Sequence, residues 1–164
     1  MSSLLIPIQM RFGDIDSYGH VNNVVVLQYL EDARVRLLRR PLPEGAVAGA
    51  PAGTTFRDLA GGRRTVVGRQ EVEYVDELLY RPDPVFVQVW VSSVGGASFV
   101  LDYRVQEEDG SKTYAVAQSV TVQTDPATGR PAALDDAQRR ALEHWSGAPT
   151  RFTRRPAAAG AQAR

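Results

Sequence analysis

Only one stretch of this chain is long enough, and patterned well enough, to form a substantial helix, and it sits among five stretches that alternate as strands do. That imbalance constrains the fold more than any other feature. Residues 22–40, "NNVVVLQYLEDARVRLLRR", carry Val26, Leu30, Ala33 and Leu37 at i, i+4, i+7 and i+11, one apolar stripe at helical period. Asn22 is suited to cap this helix because its side-chain oxygen accepts an orphan amide. Asp32 and Arg36 stand at i, i+4 with the acid nearer the N-terminus, and Arg36, Arg39 and Arg40 suit the negative end before Pro41. The valines at 24–26 favour a strand when taken alone. The continuation of the stripe to Leu37 and Leu38 decides for a helix.

The strands are read from period-two alternation. Leu4 to Phe12 places Leu4, Ile6, Ile8 and Met10 on one side. Arg64 to Asp76 sets Val66, Gln70, Val72 and Tyr74 against Arg69, Glu71 and Glu73. Val85 to Val91 puts four valines on one face. Phe99, Leu101, Tyr103 and Val105 share a face against Asp102, Arg104 and Gln106, and Tyr114 to Gln123 is the last strand. Turns are signalled at Arg81–Pro84, at "VGGAS" and at Asp109-Gly110. Pro41 to Gly62 reads as a long loop with one helical turn, and a short helix begins near Asp135. From Gly147 on, with residues 148–164 outside the domain, a disordered tail is expected. Four of the strands are joined largely by hairpins, and one face of the sheet needs an apolar cover. The expected architecture is α+β: one domain over residues 1–147, with a five-stranded antiparallel sheet wrapped around one long central helix. Such a sheet leaves edges that dimerisation would cover.

Bulk composition removes several function classes. The 164 residues include no cysteine, which excludes disulfides, thiolate metal sites and a cysteine nucleophile. Lys plus Arg equals Asp plus Glu at 19 each, so no global field draws the chain to nucleic acid or to an anionic membrane. No apolar run approaches a membrane span, and the N-terminus lacks the basic region of a signal peptide, so a cytoplasmic protein is expected.

Between the first strand and the helix lies "GDIDSYGHVNN", Gly13 to Asn23. The start of a helix presents backbone amides with no partner, and the macrodipole adds about half a positive charge there. Developing negative charge is stabilised at that spot, and Gly19 lets a substrate approach the backbone closely. Asp16 places a carboxylate nearby. An acyl-transfer site needs amides for an oxyanion and a nucleophile or base, and this cluster has both. The same residues also read as turn and cap formers only: Asp14 and Asp16 in Asx-turns, Asn22 and Asn23 as caps, His20 as a structural histidine. A hard-metal reading of Asp14, Asp16 and His20 is the weaker one, since no second ligand cluster follows, and no metal is expected.

The words "MRFGDIDSYGHVNNVVVLQYLEDAR" resemble the opening of 4-hydroxybenzoyl-CoA thioesterase-like hot-dog proteins, which carry a D-x-D-x-x-G-H-V-N-N motif. The resemblance covers roughly residues 4–125. It implies a hot-dog fold, a dimer or tetramer, and active sites at the dimer interface. It implies Asp16 as the catalytic carboxylate, a backbone amide at or near Asn23 as the oxyanion donor, and an orienting role for His20. Tyr18, Gly19, Val21 and Val26 become candidates for contact with the acyl group. Ser98 in "SVGGASF" becomes a contact for the coenzyme A arm, and Arg63 and Arg64 become candidates for its phosphates. Many members have an aromatic where this chain has Val26, which implies a roomier acyl pocket and forbids carrying over the 4-hydroxybenzoyl specificity. The resemblance points to hydrolysis of an acyl-CoA thioester with no cofactor beyond the coenzyme A of the substrate. A non-catalytic acyl-CoA-binding module and a 3-hydroxyacyl thioester dehydratase are the alternatives.

Overall fold

The computed structural model describes residues 3–153. Five strands, β1 (Leu4–Ile8), β2 (Arg64–Tyr74), β3 (Val85–Val94), β4 (Ser98–Gln106) and β5 (Thr113–Thr124), form one antiparallel sheet in the order β1-β3-β4-β5-β2. The helices are α1 (Asn23–Leu38), α2 (Phe56–Leu59) and α3 (Asp136–Glu143). This is the hot-dog architecture, with α1 seated in the concave face.

The alternation explains that seat. Val85, Val87, Val89 and Val91 on β3, and Phe99, Leu101, Tyr103 and Val105 on β4, are all essentially inaccessible. They meet Leu30, Ala33 and Leu37 of α1 in a single core. Burying a side chain of this size is worth about 1.5–3 kcal/mol, so apolar burial is the main hold of this face on the helix. The Tyr103 hydroxyl meets Ser119 Oγ at 2.8 Å and is also approached by the Arg34 side chain of α1.

Besides β2, which ends at Tyr74 rather than Asp76, and β5, which runs one residue further at each end, four boundaries differ from the sequence expectation. The first strand ends at Ile8 rather than Phe12, because Phe12–Asp14 turns as a short 3₁₀ segment held by the Asp14 carboxylate, which accepts the Arg11 amide at 2.8 Å. Pro7 is tolerated in β1 because β1 is an edge strand. Helix α1 stops at Leu38, two residues short of Arg40. β3 continues past Val91 to Val94, carried through a register shift between Val91 and Ser93 by its pairing with β4.

The fourth concerns the tail. Residues 147–153 are not a solvated extension but lie along the sheet. The Gly147 amide donates to the Val91 carbonyl, and the Val91 amide to the Trp145 carbonyl, each at 2.9 Å. Trp90 Nε1 donates to the Ala148 carbonyl at 2.8 Å, and the Thr150 amide to Asp102 Oδ1 at 2.7 Å. A Cβ at position 147 would stand 2.5 Å from the Trp90 ring, so only glycine passes there. This strap is why Asp102, expected on an open polar face, is fully buried. The rest of the expected tail, residues 154–164, lies outside the described residues.

Candidate active site

The loop joining β1 to α1 is built from its own polar side chains. Asp14 is buried, and its Oδ2 accepts both the Arg11 amide at 2.8 Å and the Tyr29 hydroxyl of α1 at 2.6 Å. Its carbonyl accepts the Asn22 amide at 2.8 Å, which ties the two ends of the loop together. Burial, reinforced by the Asp14 carboxylate, pushes the Tyr29 hydroxyl well above its ordinary pKa and keeps it a donor. Asp14 therefore anchors the loop to the helix, which matches the loop-forming reading of that residue.

Asp16 is placed differently. Its Oδ1 accepts the Tyr18 amide at 2.8 Å and the His20 amide at 3.3 Å, an Asx-type turn closed by the His20 carbonyl accepting the Asp16 amide at 2.8 Å. Gly19 makes the turn possible at φ +84, a conformation that other residues rarely adopt. Among the described residues, Oδ2 of Asp16 takes no hydrogen bond.

Asn22 caps α1, its side chain accepting the Val24 amide at 2.9 Å, and its carbonyl accepts the amides of Val25 and Val26. That leaves the amide of Asn23 as the orphan donor of the first turn, without a partner among the described residues. The Asn23 carbonyl is held by the Tyr74 hydroxyl at the end of β2, 2.9 Å away.

These groups converge on one cavity of about 270 Å³. Asp16, His20 and Asn23 stand on its polar side, and Val21, Val26 and Leu78 line its apolar side. Val21 is fixed by its amide donating to the Leu78 carbonyl at 2.8 Å. His20 Nε2 lies 3.3 Å from Glu77 Oε2, which orients the imidazole from the opposite wall. Tyr114 closes the far side, its hydroxyl shared between Glu107 and Arg81 and its pKa raised by burial and then by Glu107. A half-buried carboxylate with one free oxygen, an unpaired helix-start amide and an apolar wall can hold a polarised carbonyl with an apolar substituent.

The other expected site residues are not brought here. Tyr18 is 83% exposed, and Gly19 shapes the loop without lining the cavity. Ser98 opens β4 opposite Val122, at the other end of the sheet, and Arg63 and Arg64 line a separate pocket there. Sequence reasoning missed the opposite wall, Tyr74, Glu77, Leu78 and Tyr114. Its one available signal was Tyr74, an aromatic ending the apolar parity of β2. Among the described residues no group of three His, Cys, Asp or Glu is placed to hold a metal ion. No helix among them is long and apolar enough to cross a membrane.

The chain is similar to a thioesterase of Thermus thermophilus solved with coenzyme A and zinc: 33% identity, 84% of this chain and 95% of that one, TM-score 0.65. It shares its fold with a predicted thioesterase of Bacillus stearothermophilus, at TM-score 0.72 over 91% of this chain and all of the other, with 24% identity. It is 24% identical over 143 residues to the uncharacterized protein YsmA of Bacillus subtilis (strain 168), covering 87% of this chain and 86% of that protein. Residues 10–142, which include the whole Asp16 cavity, match the family model of the thioesterase-like superfamily, and the chain belongs to that superfamily.

Proposed function

We propose that this protein hydrolyses an acyl-CoA thioester to the free acid and coenzyme A. The observation that carries the reading is the shared cavity of Asp16, with one carboxylate oxygen free, and Asn23, with its amide unpaired. The Asn23 amide receives the thioester oxygen as it becomes an oxyanion. The Asp16 carboxylate either attacks the carbonyl carbon or takes a proton from the attacking water, and the thiolate of coenzyme A leaves. His20, braced by Glu77, orients the loop and the thioester. Val21 and Val26 contact the acyl group, and a valine rather than an aromatic at position 26 suits an acyl group bulkier than acetyl. The coenzyme A in the Thermus relative supports this carrier.

The same reading makes the protein a homodimer. β2 pairs with β5 on one side only, and its free edge and flank expose Val66, Val67, Tyr74 and Val75. A long, unpaired and partly apolar edge is a template for another strand, and a second copy is the natural occupant.

The test is thiol release from a panel of acyl-CoAs of increasing chain length and of aryl-CoAs. Turnover that depends on Asp16 supports the proposal. Binding of acyl-CoA without thiol release overturns hydrolysis and leaves a binding module.

A further inference from the structure

The far wall of the Asp16 cavity is held by a charged network that the reaction itself does not use. Tyr114 sits at a bulge in β5, between the Val105–Ala115 and Gln106–Thr113 pairs. Its carbonyl accepts the amides of Val75 and Asp76 at 2.8 and 3.1 Å, which pins the backbone to the end of β2. Its side chain is buried and lines the cavity. The hydroxyl donates to Glu107 Oε1 and accepts from Arg81 Nη1 at 3.2 Å, and Arg81 Nη2 closes the set on Glu107 Oε2 at 2.7 Å. Lys112 Nζ stands over the ring, 5.1 Å from its centre. A phenol whose one proton goes to a carboxylate has no donor left for a ligand. Burial and then Glu107 raise its pKa, so the proton stays on the oxygen at neutral pH. Tyr114 therefore offers the cavity its ring and not its hydroxyl.

Size and charge narrow what can lie against that ring. At about 30 Å³ for a water-sized group, a cavity of about 270 Å³ holds about nine such groups, which an acyl group of about eight carbons with its carbonyl oxygen fills. The aliphatic lining is Val21, Val26, Leu78, Val105 and Ala115. Besides the two tyrosines, the titratable residues of the lining are Asp16, His20, Asp76 and Glu77, and no lysine or arginine lines it. His20 faces Glu77 at 3.3 Å, and Lys112, outside the lining, faces Asp76 at 3.0 Å. An acyl group that ends in a carboxylate would meet three carboxylates and no uncommitted cation there.

We infer that Tyr114 is the end stop of the acyl pocket, and that the acyl group this protein takes is apolar to its tip, uncharged and of medium length at most. The inference rests on the thioesterase reading and deepens it by naming the acyl class. Tyr114 is the specificity-determining residue. Arg81, Glu107 and Lys112 act through it: they hold the ring across the cavity so that a longer chain cannot push it aside.

The experiment measures thiol release by the full chain from straight-chain thioesters, acetyl-CoA to hexadecanoyl-CoA. In the wild type kcat/KM peaks near hexanoyl- or octanoyl-CoA and is lower by about tenfold or more for hexadecanoyl-CoA. A profile that stays level to hexadecanoyl-CoA overturns the end stop without any variant. In Tyr114→Ala the ratio of kcat/KM for dodecanoyl-CoA to that for hexanoyl-CoA rises about tenfold or more, the scale on which a pocket reads a few methylenes. An unchanged ratio in a variant that circular dichroism shows to be folded overturns the assignment. Where Tyr114→Ala does not fold, Tyr114→Leu keeps an apolar side chain and is read by the same ratio. Tyr114→Phe keeps the ring, so its maximum stays at the wild-type chain length, and a moved maximum means that the hydroxyl meets the acyl group and overturns the apolar tip. Succinyl-CoA is a poorer substrate than butyryl-CoA by about tenfold or more in kcat/KM, and equal values overturn the uncharged class. If the wild type releases no thiol from any acyl-CoA, the hydrolytic reading fails separately. Calorimetry with the same series then decides: an affinity maximum at medium length that Tyr114→Ala moves upward supports the end stop, and the same length dependence in both chains overturns it.

Discussion

The two halves of the loop before α1 each carry an aspartate, two residues apart, and they use it in opposite ways. In the first half Asp14 is 4% exposed, with two donors on one oxygen, the Arg11 guanidinium 3.4 Å from the other, and its carbonyl tied to Asn22. In the second half Asp16 stands at a cavity, with two amides on one oxygen and none on the other. A carboxylate whose acceptors are filled by its own fold contributes stability and has nothing left for a substrate. One that lines a cavity with a spare oxygen is held in position and keeps an acceptor for a ligand. The same loop thus holds one carboxylate filled by its own fold and one left open at a cavity, and on the proposed reading mutation should separate stability from turnover.

The sharpest way to break the contrast is Asp16→Asn. The amide oxygen keeps the bonds from Tyr18 and His20, so the turn persists, but the free carboxylate oxygen is gone. We expect kcat for acyl-CoA hydrolysis to fall by about 100-fold or more, which is the usual share of a positioned base or nucleophile, while urea unfolding stays within about 0.5 kcal/mol of wild type. Near-normal turnover would remove Asp16 from the reaction. Asp14→Ala should do the reverse. It strands the Tyr29 hydroxyl and the Arg11 amide and releases the loop from α1, at a cost of about 2–3 kcal/mol. Paired melting and kinetic measurements test it: if turnover at low temperature falls more than stability does, the division between the two aspartates is wrong.

A smaller effect sharpens the picture on the apolar side. Val26→Phe inserts a ring into a cavity of about 270 Å³ without touching Asp16 or the Asn23 amide. The ratio of kcat/KM for a long acyl-CoA to that for acetyl-CoA should drop about tenfold, the scale of pocket discrimination by a few methylenes. An unchanged ratio would place the acyl group elsewhere.

Much of this contrast was legible in the sequence, for reasons that lie in locality. The valines of β3 and the alternating Phe99, Leu101, Tyr103 and Val105 bury the residues their parity assigns, since a strand with one dry face has no other choice. Asp16, His20 and Asn23 meet because they lie within eight residues of each other, where a glycine turn and a helix start fix the geometry. What was hidden depends on distant partners. Glu77 and Leu78 reach the cavity from an irregular stretch whose composition carries no period. The strap at 147–153 reads as solvated from its Gly, Pro and Thr content, yet Trp90 and Asp102, more than forty residues earlier, order it. Ser98, Arg63 and Arg64 fall away from Asp16 within one chain because hairpin topology puts the ends of β2 at opposite ends of the sheet.

The mildest perturbation tests how the anchoring half is held. Tyr29→Phe removes a single hydroxyl and leaves Asp14 Oδ2 its bond from the Arg11 amide, so the cost at pH 7 is about 1 kcal/mol, the net worth of one hydrogen bond. The pH dependence is more telling. Burial, with Asp14 behind it, raises the Tyr29 pKa above its ordinary 10.0 in the folded protein, whereas the unfolded chain ionises at the ordinary value. The stability that this proton carries is therefore complete below about pH 10 and is lost as pH rises from there toward the folded pKa, by about 1.4 kcal/mol per unit. The phenylalanine of the variant has no such proton. The other raised tyrosines, Tyr74, Tyr103 and Tyr114, are common to both chains and cancel in the difference. Urea unfolding at about pH 7 and about pH 11 should show the gap between wild type and Tyr29→Phe closing at the higher pH. A gap that stays constant means that the Tyr29 hydroxyl ionises in the folded chain as it does in water, and that Asp14 is anchored by the Arg11 side of the loop alone.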